Sequence, residues 1–182
     1  ISRGLVGSEM CIRDRSPTDE DLIKSEISSL SHSDQVVHLA KAKAEPVSSQ
    51  NPEFAVIGGD QMCVLNDMLL HKPGTKEKAV ESLKLLSNQK HFQHSGVCIF
   101  KNNECLWEYS ETVELKMHNL TEKEIINYVD IENPINAAGA YKFESLGCNL
   151  FSYVNGSSHT VRGMPLLPLL NALRELNIID LE

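Results

Sequence analysis

The stretch Phe54-Ala55-Val56-Ile57-Gly58-Gly59-Asp60-Gln61-Met62-Cys63-Val64-Leu65 decides the fold class. Its opening residues are apolar and partly β-branched, which suits a buried strand. Two glycines and an aspartate follow, so the run reads as a strand that delivers a carboxylate, Asp60, at its C-terminal end, where open α/β sheets gather their ligands. Met62 to Leu65 extend or follow it. Taken by itself, Asp60 also reads as a polar turn residue after a pair of glycines.

Working outward, Val36, Val37, Leu39, Ala40 and Ala44 recur at helical spacing, predicting a helix capped by Ser33 or Asp34 and stopped near Pro46. Asn66-Asp67 makes a turn, Met68 to Leu70 returns, and Lys72-Pro73-Gly74-Thr75 opens a helix with Ala79, Leu83 and Leu86 on one face and Thr75 as N-cap. Strand-like segments follow at His91 to Phe100, Glu104 to Tyr109 and Thr112 to Met117, with Asn102-Asn103 as the hairpin turn between the first two. Thr121-x-x-Glu124 is a capping box for a helix carrying Ile125, Ile126 and Val129. Tyr141 to Phe143 and Leu150 to Val154 read as strands, and Pro165 to Leu176 as a final helix. Helices and strands interleave, so the class is α/β or α+β, with no internal repeat and no dividing linker.

Composition bounds the function. With 41% hydrophobic and 23% charged residues among 182, the chain reads as one globular domain. A formal net charge of −8 leaves no electrostatic footprint for a nucleic-acid polymer, although a few local cations can still hold a nucleotide. The longest apolar stretch, Met164 to Leu173, is broken by Pro165, Pro168 and Asn171 and falls short of the roughly 18 to 20 residues of a membrane span. Five cysteines without a C-x-x-C pair indicate neither a disulfide framework nor a zinc ribbon, so a cytoplasmic location is expected. Residues Ile1 to Arg15 show no periodicity and resemble translated adaptor sequence; the domain is therefore read from Ser16 to Glu182.

Several residues could carry chemistry, each with a plainer alternative. Asp19-Glu20 reads as a metal-binding carboxylate pair or as part of a solvated acidic run. Lys43 reads by default as a surface lysine lying along its helix. Lys72-Pro73-Gly74 sets a lysine beside a helix N-terminus, a natural place for phosphate, or is simply a loop. His91 and His94 point to opposite strand faces and cannot share a metal. Gly156-Ser157-Ser158-His159-Thr160 is either a phosphate-touching loop or a surface turn.

Their order narrows the reading. Asp19-Glu20, Leu39-Ala40-x-Ala42-Lys43-Ala44, Gly58-Gly59-Asp60-Gln61, Lys72-Pro73, Ala138-Gly139-Ala140-Tyr141 and Gly163-Met164-Pro165-Leu166 together resemble the Maf family of nucleotide pyrophosphatases, over about Ser16 to Asn177. Gly59-Asp60-Gln61, Tyr141-x-Phe143-Glu144-x-x-Gly147 and Leu150-Phe151 resemble the branch associated with 7-methyl-GTP, and the Gly163-to-Leu170 ending resembles alphaproteobacterial members. The family's opening Ser-x-Ser-x-Arg-Arg motif has no match before Asp19, so the reading expects an N-terminally truncated domain that lacks part of the site. Ser95 stands where a threonine is usual.

The resemblance implies a mixed, twisted sheet flanked by helices, two lobes around a deep cleft, and a homodimer. It implies hydrolysis of a nucleoside triphosphate to a monophosphate and pyrophosphate by attack of water on the α-phosphorus, assisted by Mg²⁺ or Mn²⁺. Asp60 and Glu20 match the family's acidic positions and would hold the metal and orient water; Lys43 and Lys72 would clamp phosphate; Gln61 and Glu144 would bind the substrate, Glu144 reading a guanine edge. The competing readings are a nucleotide-binding regulator of septum formation and an inactive fragment of the enzyme.

Overall fold

Two hairpins set the topology. Asn66 and Asp67 take φ of +48° and +64°, and Asn102 and Asn103 take +51° and +61°. Positive φ at both central residues is the two-residue turn whose twist matches paired strands, and asparagine tolerates it better than other side-chain-bearing residues. The turns join β1 (Val56–Leu65) to β2 (Met68–Leu70) and β3 (Lys90–Lys101) to β4 (Glu104–Met117). With β5 (Phe151–Asn155) they form a five-stranded sheet in the order β2-β1-β3-β4-β5, every pairing antiparallel.

The structure, a computed structural model, describes residues 20–180. The segment 1–15 and the Glu20 side chain lie outside the described residues. The helices are α1 (Glu20–Glu26), α2 (His32–Gln50), α3 (Lys76–Leu86), α4 (Glu122–Glu132), α5 (Ser158–Val161) and α6 (Leu166–Glu175). The expected α/β architecture, a sheet flanked by helices, is present. Thr75 caps α3, and Thr121 and Glu124 form the capping box of α4 as the sequence indicates. Among the described residues no helix is long and apolar enough to cross a membrane.

Four local expectations are corrected. Asp60 is not at a strand end: β1 continues through it to Leu65, and the glycines before it are extended strand residues rather than a turn. Gly58 is glycine because helix α2 lies against the sheet there. A Cβ on Gly58 would sit 2.3 Å from the Ala40 carbonyl oxygen, and one on Gly96, its near neighbour on β3, 2.5 Å from the Val36 carbonyl. Helix α2 is capped by Ser31, whose hydroxyl accepts from the Asp34 N–H at 3.2 Å, and it runs through Pro46 to Gln50. Packing overrides the proline: Ala44 and Ser48 on either side are buried, and Ser48 accepts from the Asn103 N–H of the β3–β4 hairpin at 3.2 Å. The segments 104–109 and 112–117 form one strand, β4. Tyr141 to Phe143 is a loop, in which the Lys142 N–H bonds the Tyr128 hydroxyl at 2.9 Å instead of a strand neighbour.

The two faces of the sheet bury different helices. On one, Met62 and Val64 meet Ile27, Val36 and Leu39, while Cys98 and Phe100 meet Ala40 and Ala44. On the other, Cys63, Leu65, Val113, Leu115 and Met117 pack under α3 and α4, and Val97 and Ile99 pack under α6. Between these last two apolar clusters the same face carries Gln61, Gln93 and Ser95, which β1–β3 register sets side by side. The polar row divides the core into two parts, and a cleft opens over it.

Substitution at the α2 contact tests this packing. Gly96→Ala, forced against the Val36 backbone, is expected to lower unfolding free energy by about 3 kcal/mol. Gly59→Ala, whose Cβ would lie an ordinary 3.5 Å from Met164, should change it by less than about 1 kcal/mol. Urea denaturation of the two variants checks the contrast; equal losses would show that α2 does not need the contact.

Candidate active site

Beyond the last β2 pairing, at Cys63, the outer edge of β1 has no strand partner among the described residues. Alternation turns Asp60 toward α2 and Gln61 toward the opposite face, yet both line one cavity of about 450 Å³ that reaches around this edge. Lys72, Gln93, Tyr141, Glu144, Arg162 and Met164 also line it. A groove of similar volume, about 440 Å³, lies between α2 and β4, but there the one lysine, Lys41, is paired with Glu108 at 2.6 Å, and Asp34 adds a negative charge.

Asp60 is held by α2. The close seat of Ala40 and Ala44 on Gly58 brings Lys43, on the same helix, to the strand, and its Nζ lies 2.6 Å from Asp60 Oδ1. The pair is half-buried, with 26% of the lysine and 11% of the aspartate side chain exposed. The default reading of Lys43 as a surface lysine is therefore wrong: its ammonium faces inward.

Gln61 has a structural duty. Its Nε2 donates to the Thr160 carbonyl at 3.1 Å, the Val161 carbonyl at 2.9 Å and the Ser95 hydroxyl at 3.2 Å. Ser95 in turn donates to the Thr160 carbonyl at 2.8 Å, and the Thr160 hydroxyl donates to Glu111. These bonds anchor the short helix α5 to the sheet. The hydroxyl retained at position 95 is what that anchor uses. Read as a possible phosphate loop, Gly156 to Thr160 is instead the start of this anchored turn, with Ser157 as its N-cap.

Directly after α5 comes Arg162, exposed at the cavity wall, with Nη2 2.7 Å from His159 Nδ1. Sequence reading passed over it, although it is the basic residue immediately before the quoted Gly163-Met164-Pro165. Lys72 reaches the same wall from a loop tied down by a 2.9 Å bond from the Gly74 N–H to the Ile135 carbonyl. Lys142 is also at the wall, but its ammonium caps the C-terminal end of α4 at the Glu132 carbonyl, 2.6 Å away. The Glu132 carboxylate accepts from Ser145 at 2.5 Å, fixing the loop that carries Glu144. Glu144 itself is exposed and has no ion pair among the described residues, so neither Lys142 nor Lys116 claims it.

At the inner end, Tyr141 is fully enclosed. Its hydroxyl accepts from Gln93 Nε2 at 2.6 Å and bonds His91 Nε2 at 3.0 Å. Gly139 at φ +73° makes the turn that places the ring: a Cβ there would meet Cys63 at 2.8 Å and Tyr141 at 2.9 Å. Burial pushes the His91 imidazole down to about 4, against the opposing pull of the Gln89 backbone, so the ring is neutral near pH 7. Burial also raises Tyr141 well above its usual range and keeps its proton.

The cavity thus joins Asp60, Gln61, Lys72 and Glu144, with Lys43 behind Asp60; Glu20 lies outside the described side chains. Among the described residues no three His, Cys, Asp or Glu converge as a metal cage. A single carboxylate beside cations can still serve a magnesium ion that takes its remaining ligands from substrate phosphates and water.

The sequence pattern of the Maf-like protein family matches residues 5–176. This chain belongs to the Maf-like family. It is 41% identical to a nucleoside triphosphate pyrophosphatase of Legionella pneumophila (strain Paris), over 87% of this chain and 81% of the relative. A 7-methyl-GTP pyrophosphatase of Rhizobium etli is 41% identical over 78% of this chain and 72% of its own length. A nucleoside triphosphate pyrophosphatase of Maricaulis maris is 34% identical over 91% and 86% respectively. Of the motifs that carry this Maf-like chain's resemblance, the cavity brings together Gly59-Asp60-Gln61, Lys72, Tyr141 to Glu144 and Gly163-Met164.

Because His91 is neutral in the fold and protonates more readily when unfolded, its contribution to stability is complete above about pH 6.5 and is lost as pH falls toward 4. The loss amounts to at most roughly 3 kcal/mol. Urea titrations from pH 7 to 4 should show His91→Gln losing less stability on acidification than the parent; parallel curves would contradict the buried neutral imidazole.

Proposed function

We propose that this Maf-like protein hydrolyses the α–β phosphoanhydride of a nucleoside triphosphate, yielding a monophosphate and pyrophosphate. The observation that carries the reading is Asp60, pinned by Lys43 at 2.6 Å in a cavity whose wall presents Lys72 and Arg162, in a protein of net charge −8. Cations gathered in one cleft against that background suit a polyanionic substrate. The pyrophosphatase relatives favour this over a purely regulatory role.

Phosphoryl transfer of this kind is mostly positioning and charge stabilisation. Asp60 orients the attacking water and takes its proton, while Lys43 fixes the carboxylate so that little reorganisation accompanies attack. Lys72 and Arg162 offset charge on the phosphate oxygens and the departing pyrophosphate. Asp60 and Glu20 would hold Mg²⁺ or Mn²⁺, which when bound supplies Lewis-acid neutralisation of the phosphates. Gln61 acts by anchoring the turn that presents Arg162, which replaces the direct substrate contact expected of it. Glu144, without a counter-ion among the described residues, accepts from the N1–H and amino group of a guanine base, and 7-methyl-GTP is the substrate this reading favours. A cytoplasmic homodimer belongs to the same reading.

Asp60→Asn keeps the shape and removes the base. Its pyrophosphate release is expected to fall by about 10³-fold, with affinity for a non-hydrolysable nucleotide within a few-fold of the parent. Undiminished turnover would remove Asp60 from the mechanism. Arg162→Ala is expected to cut kcat/KM by roughly 10-fold or more in the same assay; no change would leave Arg162 a bystander.

A further inference from the structure

Gln93 is an anomaly of the core. It is 2% exposed and sits on β3 between Cys63 of β1 and Val113 of β4, where an apolar side chain would fill the space without polar cost. Its Nε2 is satisfied by Tyr141, but its Oε1 is buried and has no hydrogen-bond partner among the described residues. Buried polar atoms seldom go unpaired, and one that does in the wall of a cavity is explained by a partner from outside the chain.

The surroundings fix which way the amide faces. With the His91 proton on Nδ1, toward the Gln89 backbone, Nε2 accepts the one Tyr141 hydroxyl hydrogen at 3.0 Å, and the phenol oxygen accepts from Gln93 Nε2 at 2.6 Å. The amide nitrogen is thereby held toward Tyr141, and the oxygen is the group left for an occupant of the cavity. Glu144 lines the same cavity at its exposed side.

We propose that Gln93 is a base-reading residue, its Oε1 accepting an N–H of the nucleobase while Glu144 accepts a second. This rests on the nucleotide reading above and sharpens it. Two acceptors on one base select an edge with two adjacent donors, which guanine presents through N1–H and its amino group. Uracil offers one donor between two acceptors, and adenine one donor beside an acceptor. The phosphates then lie toward Asp60, Lys72 and Arg162, and the base enters between Tyr141 and Glu144.

The test is calorimetric binding to the full chain of two probes, the non-hydrolysable α,β-methylene analogue of GTP and the base-free ribose 5-triphosphate. The readout is the ratio of their affinities. The parent is expected to favour the guanosine probe, and Gln93→Met, which keeps volume and removes the acceptor, to reduce the ratio by about ten-fold or more. Gln93→Glu, whose carboxyl is protonated by burial and matches the amide in shape, should keep the ratio within about three-fold. Tyr141→Phe, which frees the amide to turn, should reduce it by a smaller factor than Gln93→Met. A ratio unchanged in Gln93→Met and Tyr141→Phe, a parent with no preference for the guanosine probe, or equal weakening of both probes would overturn the proposal. A parent that prefers the guanosine probe but releases no pyrophosphate from 7-methyl-GTP, GTP or UTP would sink the pyrophosphatase reading and leave the base contact standing.

Discussion

The structure depends on how closely helix α2 lies against the sheet. Two positions without side chains, Gly58 and Gly96, let the backbone at Ala40 and Val36 come within a distance that no Cβ could share. That approach buries Ala40, Ala44, Cys98 and Phe100 and, by the same geometry, sets Lys43 against Asp60 in the middle of a strand. A carboxylate in that place would be costly to bury alone; the cation from the next layer pairs with it and fixes its orientation. Packing and chemistry are thus one arrangement, and the motif Gly58-Gly59-Asp60 is its record in sequence.

On the opposite face a second constraint operates. Apolar residues under α3 and α4 and under α6 form two separate clusters, and the strand positions between them are Gln61, Gln93 and Ser95. Two of the three are spoken for: Gln61 and Ser95 tie α5 to the sheet and so set the position of Arg162. Among the described residues Gln93 is tied only on its nitrogen side, to Tyr141. A row of polar groups across a core loses apolar contact and gains a cleft whose walls are rigid, which is what a reaction governed by positioning requires.

Much of this was legible beforehand because it is written locally. The asparagine turns, the caps at Thr75 and Thr121 and the apolar faces of α3 and α4 follow from nearest-neighbour chemistry, and the motif order pointed to Asp60, Lys43, Lys72 and Glu144. What escaped was long-range. The glycines before Asp60 suggest a turn until α2 is seen lying on Gly58. Pro46 suggests a helix stop until Ser48 is seen bonded to the β3–β4 hairpin. Arg162 is marked locally only by its place before Gly163-Met164-Pro165, and its position depends on a turn anchored through Gln61, about a hundred residues away in sequence; Gln93 is marked only by the partner its oxygen lacks among the described residues.

In the proposed reaction the phosphorus attacked is the α-phosphorus, beside Asp60, with pyrophosphate leaving past Lys72 and Arg162 and the base at the far end of the cavity. Turnover of 7-methyl-GTP in ¹⁸O-labelled water, with mass spectrometry of both products, tests the site of attack directly. Label in the nucleoside monophosphate and none in the pyrophosphate is the predicted result. Label in pyrophosphate or the appearance of orthophosphate as the first product would contradict it.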